Sequence, residues 1–145
     1  MTTSEINKFM QEAIIEGRKA IPHCFPNPPV GCVIVKDHEI IARGHTNEPG
    51  KDHAEIMALK NLPQGIDSFS MFVTLEPCSF FGRTPSCAKE IVKTKVASIY
   101  VGIIDPHEKN NGQGIAILKA SSIQVQVGIL QEQITRELEP YLIKK

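Results

Sequence analysis

The sequence predicts an α/β protein in which a five-stranded mixed sheet lies between two layers of helices. From residue 53 onward, short apolar runs of strand type alternate with helical patterns, which is typical of parallel βαβ units. Before them, two strand-like runs are joined by a short polar turn, which adds one antiparallel hairpin. A chain of 145 residues is long enough for one domain with its own core, so we expect a single domain over residues 1–145.

Each predicted element rests on a local pattern. Thr2 and Glu5 have the spacing of a capping box at the start of a helix over residues 5–17. Thr84 is predicted to cap a helix over residues 85–94, which begins with proline. The other predicted elements are strands at 30–35, 40–44, 71–75, 96–104 and 123–127, and helices at 53–61, at 115–120 and one ending near 141.

The composition argues against several classes of protein. Sixteen basic and sixteen acidic residues cancel, tryptophan is absent, and aromatic residues make up 6% of the chain. A nucleic-acid surface is therefore not expected, because it needs a basic excess or a platform for base stacking. Because the first residues are polar, we expect no signal peptide, and no apolar run reaches about 18 residues. We therefore expect a cytoplasmic protein without a membrane span. Its four cysteines are expected to be metal ligands or free thiols.

The residues that carry chemistry lie in two segments, His53-Ala-Glu55 and residues 74–87, which contain Cys78 and Cys87. One histidine and two cysteines suit zinc, and three protein ligands leave its fourth position for water, as in catalytic sites. Glu55 is the candidate that takes a proton and returns it. A helix amino end at Cys87 is predicted to favour the thiolate of this residue. The set suits hydrolytic removal of an amine from an amidine-like carbon.

From these residues alone, other interpretations stay open. A structural zinc site would have a fourth ligand such as Cys24 or His45. Alternatively, the cysteines are buried without a metal, as scattered cysteines commonly are. His23 and His45 are also candidates for the mouth of a pocket, because polar groups that converge on a site are few.

The two segments resemble the zinc-dependent cytidine deaminase-like superfamily, whose signature is H-x-E followed by P-C-x-x-C. Here residues 79–86 separate the two cysteines, and this longer spacing is similar to that of riboflavin-pathway pyrimidine deaminases. Residues 27–35 and 105–115 also resemble that family, and the whole resemblance runs from about residue 27 to 128. It implies a cytidine deaminase-like fold.

The resemblance implies deamination of 2,5-diamino-6-ribosylamino-4(3H)-pyrimidinone 5′-phosphate. Another free base, nucleoside or nucleotide is the alternative substrate, and a zinc-stabilised binding module without activity is a third hypothesis. Carried over residue by residue, the resemblance implies Zn²⁺ on His53, Cys78 and Cys87, with Glu55 as proton shuttle. The substrate-binding residues that we expect are Asn27, Arg83, Lys51 and His45, where the cationic groups suit a phosphate.

The chain departs from the family pattern at three positions. Phe80 stands where histidine is usual, Gln113 where a lysine or arginine is usual, and Glu108 where a proline is usual. The resemblance also implies a homodimer or larger homo-oligomer, because related domains complete their pockets at subunit contacts. A separate reductase is a candidate partner, since the bacterial enzyme is commonly fused to one.

Overall fold

A computed structural model describes residues 1–80, 82 and 84–142. Within these residues, helices and strands follow one another in the predicted order: α1 Thr3–Arg18, β1 Gly31–Lys36, β2 Glu39–His45, α2 Ala54–Lys60, β3 Phe69–Leu75, α3 Cys87–Ile91, β4 Val96–Ile103, α4 Gln113–Ala120, β5 Gln124–Val127 and α5 Gln131–Leu142.

The five strands form one mixed sheet in the order β2-β1-β3-β4-β5. Strand β1 is antiparallel to both β2 and β3, whereas β3, β4 and β5 run parallel to one another. Val73 of β3 pairs with Cys32 on one side and with Val101 on the other, and all three are fully buried. The predicted five-stranded mixed sheet of an α/β fold is thereby confirmed.

The helices cover both faces of this sheet. Helix α1 packs on β1 and β3, and α5 packs on β4 beside it, with Ile14, Ile134 and Leu138 lining the groove between the two helices. On the opposite face, α2 contacts α3, and α3 contacts α4. None of the helices in the described ranges is both long and apolar enough to cross a membrane.

Helix α1 lies unusually close to strand β1. A Cβ atom added at Gly31 would come within 1.8 Å of the Ala13 carbonyl oxygen, so only glycine fits there. The predicted capping box is present, because the Glu5 N–H donates to Thr2 Oγ1 at 3.1 Å and the Thr2 N–H donates to Glu5 Oε1 at 3.1 Å. The helix ends one residue beyond Gly17, the predicted last residue.

The largest departure from the predicted elements is α3. It spans Cys87–Ile91 instead of residues 85–94, and its N-cap is Ser86 rather than Thr84. The Ser86 hydroxyl accepts the Lys89 N–H at 3.2 Å, which satisfies a donor at the helix start. Strand β5 is also more exposed than its alternating pattern predicts, because it lies at the edge of the sheet.

Candidate active site

The three predicted metal ligands meet beside the sheet. His53 is the N-cap of α2, Cys78 follows the end of β3, and Cys87 is the first residue of α3. His53 Nδ1 lies 3.2 Å from Cys87 Sγ and 3.8 Å from Cys78 Sγ. The three donor atoms all lie within 4.8 Å of one another, so segments distant in sequence form one cluster.

The geometry of this cluster fits a zinc ion. Tetrahedral zinc with its usual bond lengths to nitrogen and sulfur places these atoms about 3.6 Å apart, between the two observed distances. Among the described residues, no further histidine, cysteine or carboxylate joins the group. His45 hydrogen bonds instead to Glu16, at 2.7 Å. A closed structural site through His45 or Cys24 is therefore not supported, and three donors leave one position for water.

The prediction that the amino end of the helix favours the thiolate of Cys87 is wrong, because the structure favours the thiolate of Cys78. The Cys87 backbone N–H donates to Cys78 Sγ at 3.2 Å, so the amino end of α3 acts on Cys78. The hydrogen bond from the Cys87 thiol, helped by His53 and opposed by burial, lowers the pKa of Cys78 to about 4. The same hydrogen bond, together with burial, raises the pKa of Cys87. Zinc binding, which requires both thiolates, would release the Cys87 proton.

His53 is oriented by a residue that the sequence did not suggest for this task. Its Nε2 lies 3.2 Å from Thr84 Oγ1, on the side of the ring away from the sulfur atoms. When Nδ1 binds a metal, the ring proton resides on Nε2, and this N–H donates a hydrogen bond to the Thr84 hydroxyl. Thr84, predicted as a helix cap, is thus a partner of a candidate metal ligand.

Glu55 lies in the first turn of α2 and is only 4% exposed. Burial, opposed by His53 and helped by Cys78, raises the pKa of Glu55 to about 7. A carboxyl group with such a pKa changes protonation state near neutral pH, which suits a group that takes and returns a proton.

A pocket of about 170 Å³ opens onto this cluster. His53, Glu55 and Cys78 line it together with Asn27, one of the predicted substrate-binding residues. Phe80 and His107 also line the pocket, although the sequence did not single out His107 for the site.

Two other predicted substrate-binding residues lie elsewhere. His45 and Lys51 line a larger, open cavity of about 850 Å³, together with His23. Thr46 lines both cavities, so the two are neighbours. The structure therefore does not bring His45 or Lys51 into the pocket with the zinc ligands. Arg83 falls outside the described residues.

Glu76 holds the loop that carries His107. Its buried carboxylate accepts the backbone N–H groups of Asp105 at 3.0 Å, Gly112 at 2.9 Å and Ile115 at 3.1 Å. Asn110, fully buried, donates to the Pro77 carbonyl at 3.2 Å from the same loop. Sequence reasoning missed this role, and its only sign was an acidic residue two positions before a metal ligand.

Three candidate metal donors and a buried glutamate lie together on a mixed α/β sheet, which is the arrangement of zinc-binding deaminase domains. The profile of the cytidine and deoxycytidylate deaminase zinc-binding region matches residues 3–103. The chain belongs to this family, as the H-x-E and P-C motifs predicted.

Within this family, the chain is similar to proteins of riboflavin biosynthesis. RibD of Chlamydia pneumoniae is 42% identical over 137 residues, which are 94% of this chain and 36% of that protein. The diaminohydroxyphosphoribosylamino-pyrimidine deaminase of Buchnera aphidicola is 42% identical over 108 residues, 74% of each chain. The solved structure of Acinetobacter baumannii RibD superposes with a TM-score of 0.91 at 36% identity, covering 97% of this chain and 40% of that one. The chain thus spans less than half of these RibD proteins, and it is similar to their deaminase region.

Proposed function

We propose that this chain is a zinc-dependent hydrolytic deaminase of riboflavin biosynthesis. The proposed substrate is 2,5-diamino-6-ribosylamino-4(3H)-pyrimidinone 5′-phosphate. The observation that carries the activity is the cluster of His53, Cys78 and Cys87, whose first two members line one pocket with the buried carboxylate of Glu55. The Buchnera aphidicola relative, matched over 74% of both chains and named as the deaminase of such a pyrimidine, supports the substrate.

The residues divide the chemistry between them. A zinc ion on His53, Cys78 and Cys87 would supply a Lewis acid and lower the pKa of a water molecule in its open position. Glu55 would take a proton from the attacking water and deliver it to the departing amine, so that oxygen replaces nitrogen on the ring carbon and ammonia leaves. Thr84 keeps the His53 ring in the orientation that points Nδ1 at the sulfur atoms.

Asn27 is the proposed residue for recognition of the heterocycle. Its side chain lines the same pocket, and within the described residues its amide makes no hydrogen bond to a protein group. An amide offers both a donor and an acceptor, which matches the alternating donors and acceptors on the edge of an aminopyrimidinone. Arg83 and Lys51 remain the proposed contacts to the ribose or phosphate.

The pocket volume makes a second substrate class worth testing. A volume of about 170 Å³ holds a heterocycle, whereas a ribose phosphate would extend into the open mouth. A free base or nucleoside is therefore the competing substrate.

The experiment measures ammonia release by the zinc-loaded protein from four compounds. These are the proposed substrate, called the pathway intermediate below, and cytidine, deoxycytidylate and guanine. We expect turnover of the pathway intermediate above the other three. Preferred turnover of another compound would replace the proposed substrate, and no turnover of any would reject the enzyme in favour of a binding module.

A variant separates catalysis from metal binding. Glu55→Gln should lower turnover by about 10²–10⁴-fold, the usual share of general acid–base catalysis, while bound zinc measured by atomic absorption stays stoichiometric. Glu39→Gln, an exposed glutamate of β2, serves as the matched control. Full activity of Glu55→Gln would show that another group moves the proton.

Three wider features complete the proposal. We expect a cytoplasmic protein that forms a homo-oligomer and whose product passes to a separate reductase. Sedimentation velocity at several protein concentrations tests the homo-oligomer, since a monomer at every concentration would contradict it. Capture of a reductase from an extract by the tagged protein tests the third feature.

A further inference from the structure

His107 is held in one tautomer by the backbone of its own loop. The Lys109 N–H donates to His107 Nδ1 at 3.1 Å, so Nδ1 is an acceptor and the proton of the neutral ring resides on Nε2. Within the described residues, Nε2 has no hydrogen-bond partner. The ring therefore presents an N–H donor on its free edge.

Contacts to Phe80 and to Asp105 restrict the orientation of the His107 ring. It stacks on Phe80, with ring centroids 6.0 Å apart and planes inclined by 30°. The Lys109 ammonium lies 6.0 Å from the centroid of the Phe80 ring, a cation–π distance. The His107 N–H donates to Asp105 Oδ1 at 3.0 Å, which anchors the backbone at the same residue.

Both rings line the pocket that Glu55, His53 and Cys78 also line. The phenyl ring of Phe80 offers no hydrogen bond. Asp105, which also lines the pocket, accepts N–H groups of His107 and Asn110, so the hydrogen-bond donor beside Phe80 is His107. A fixed N–H donor on a pocket wall recognises an oxygen acceptor, and a neutral aromatic ring beside it suits the face of a heterocycle.

We propose that His107 is a substrate-binding residue whose Nε2–H donates to an oxygen of the substrate, either a ring carbonyl or a phosphate oxygen, while Phe80 forms the apolar wall beside it. This inference rests on the proposed deaminase function and assigns one contact within it.

The first test is steady-state kinetics with the pathway intermediate and zinc-loaded variants. His107→Leu removes the donor and should raise KM about tenfold, the equivalent of one hydrogen bond, with kcat nearly unchanged. His107→Gln keeps an N–H at similar reach and should restore part of the affinity. His38→Asn, at an exposed hairpin turn, is the control and should leave both parameters unchanged. An unchanged KM in His107→Leu would overturn the proposal.

A second test needs no turnover. Long-range ¹H–¹⁵N correlation spectra of the zinc-loaded protein should show His107 with Nδ1 unprotonated and Nε2 protonated. Isocytosine, which has a ring carbonyl and no phosphate, and ribose 5-phosphate are then added separately. A shift of the His107 Nε2–H signal with either probe supports the contact and identifies its acceptor. The opposite tautomer, or no shift with either probe, overturns it.

The two tests also separate this inference from the function on which it rests. A protein that releases no ammonia from the pathway intermediate would contradict the proposed substrate. The spectra would still decide whether the His107 donor meets a carbonyl or a phosphate oxygen.

Discussion

Replacing Glu76 with glutamine should destabilise the protein although the two side chains have nearly the same shape. In the structure, Oε1 accepts the N–H groups of Asp105 and Gly112, and Oε2 accepts the buried N–H of Ile115. A glutamine can keep its carbonyl oxygen at the first position, which places its NH₂ group against the Ile115 N–H. Two donors then face each other, and a buried donor has lost its acceptor.

The magnitude follows from these contacts. A buried N–H without an acceptor costs about 1–3 kcal/mol, and exchanging two charge-assisted hydrogen bonds for neutral ones costs roughly 1 kcal/mol more. We expect Glu76→Gln to lower the free energy of unfolding by about 2–4 kcal/mol, a large share of the roughly 5–15 kcal/mol of a typical domain.

Urea unfolding of the zinc-loaded protein measures this loss, and amide hydrogen exchange at Asp105, Gly112 and Ile115 locates it. Glu108→Gln, an exposed glutamate of the same loop, is the control and should change stability by less than about 0.5 kcal/mol. If Glu76→Gln behaves like this control and its three amides stay protected, the carboxylate does not hold the loop.

Three further outcomes are expected. Thr84→Val should weaken zinc binding by about 10–100-fold in a chelator competition while Thr84→Ser stays close to the native affinity, and equal affinities would remove Thr84 from the zinc site. Gly114→Ala would place a Cβ 1.9 Å from the Pro77 carbonyl oxygen and should cost about 1–3 kcal/mol in urea unfolding, so an unchanged midpoint would contradict the close approach. Free zinc at about 1,000 times its dissociation constant should stabilise the protein by about 4 kcal/mol relative to chelator-treated protein, and coincident thermal transitions would refute binding by the folded state.

Features that depend on neighbouring residues were predictable from the sequence. The capping box of Thr2 and Glu5 needs only residues one turn apart, and both of its hydrogen bonds are present. The three candidate metal donors could be named from the sequence because histidine and cysteine in these short motifs have few other uses, and the structure brings their donor atoms together. The order of helices and strands followed from their periodicity.

Features that depend on distant segments were not predictable. Thr84 had the spacing of a helix cap, but its hydroxyl lies 31 residues along the chain from His53 and meets the imidazole instead. The amino end of α3 acts on Cys78 rather than on Cys87, because the bend after β3 brings the Cys78 sulfur to that end. His45 was expected in the pocket, but the buried carboxylate of Glu16 holds its ring on a neighbouring cavity.

The way in which Glu76 holds its loop has an evolutionary consequence. The Glu76 carboxylate accepts hydrogen bonds from backbone N–H groups, which every amino acid except proline possesses. The path of the loop therefore depends little on the side chains at positions 107 to 109. Those positions are free to mutate while the peptide chain stays where it is. Under the proposed deaminase function, point mutations on this loop would change which heterocycle is bound without rebuilding the cluster of His53, Cys78 and Cys87.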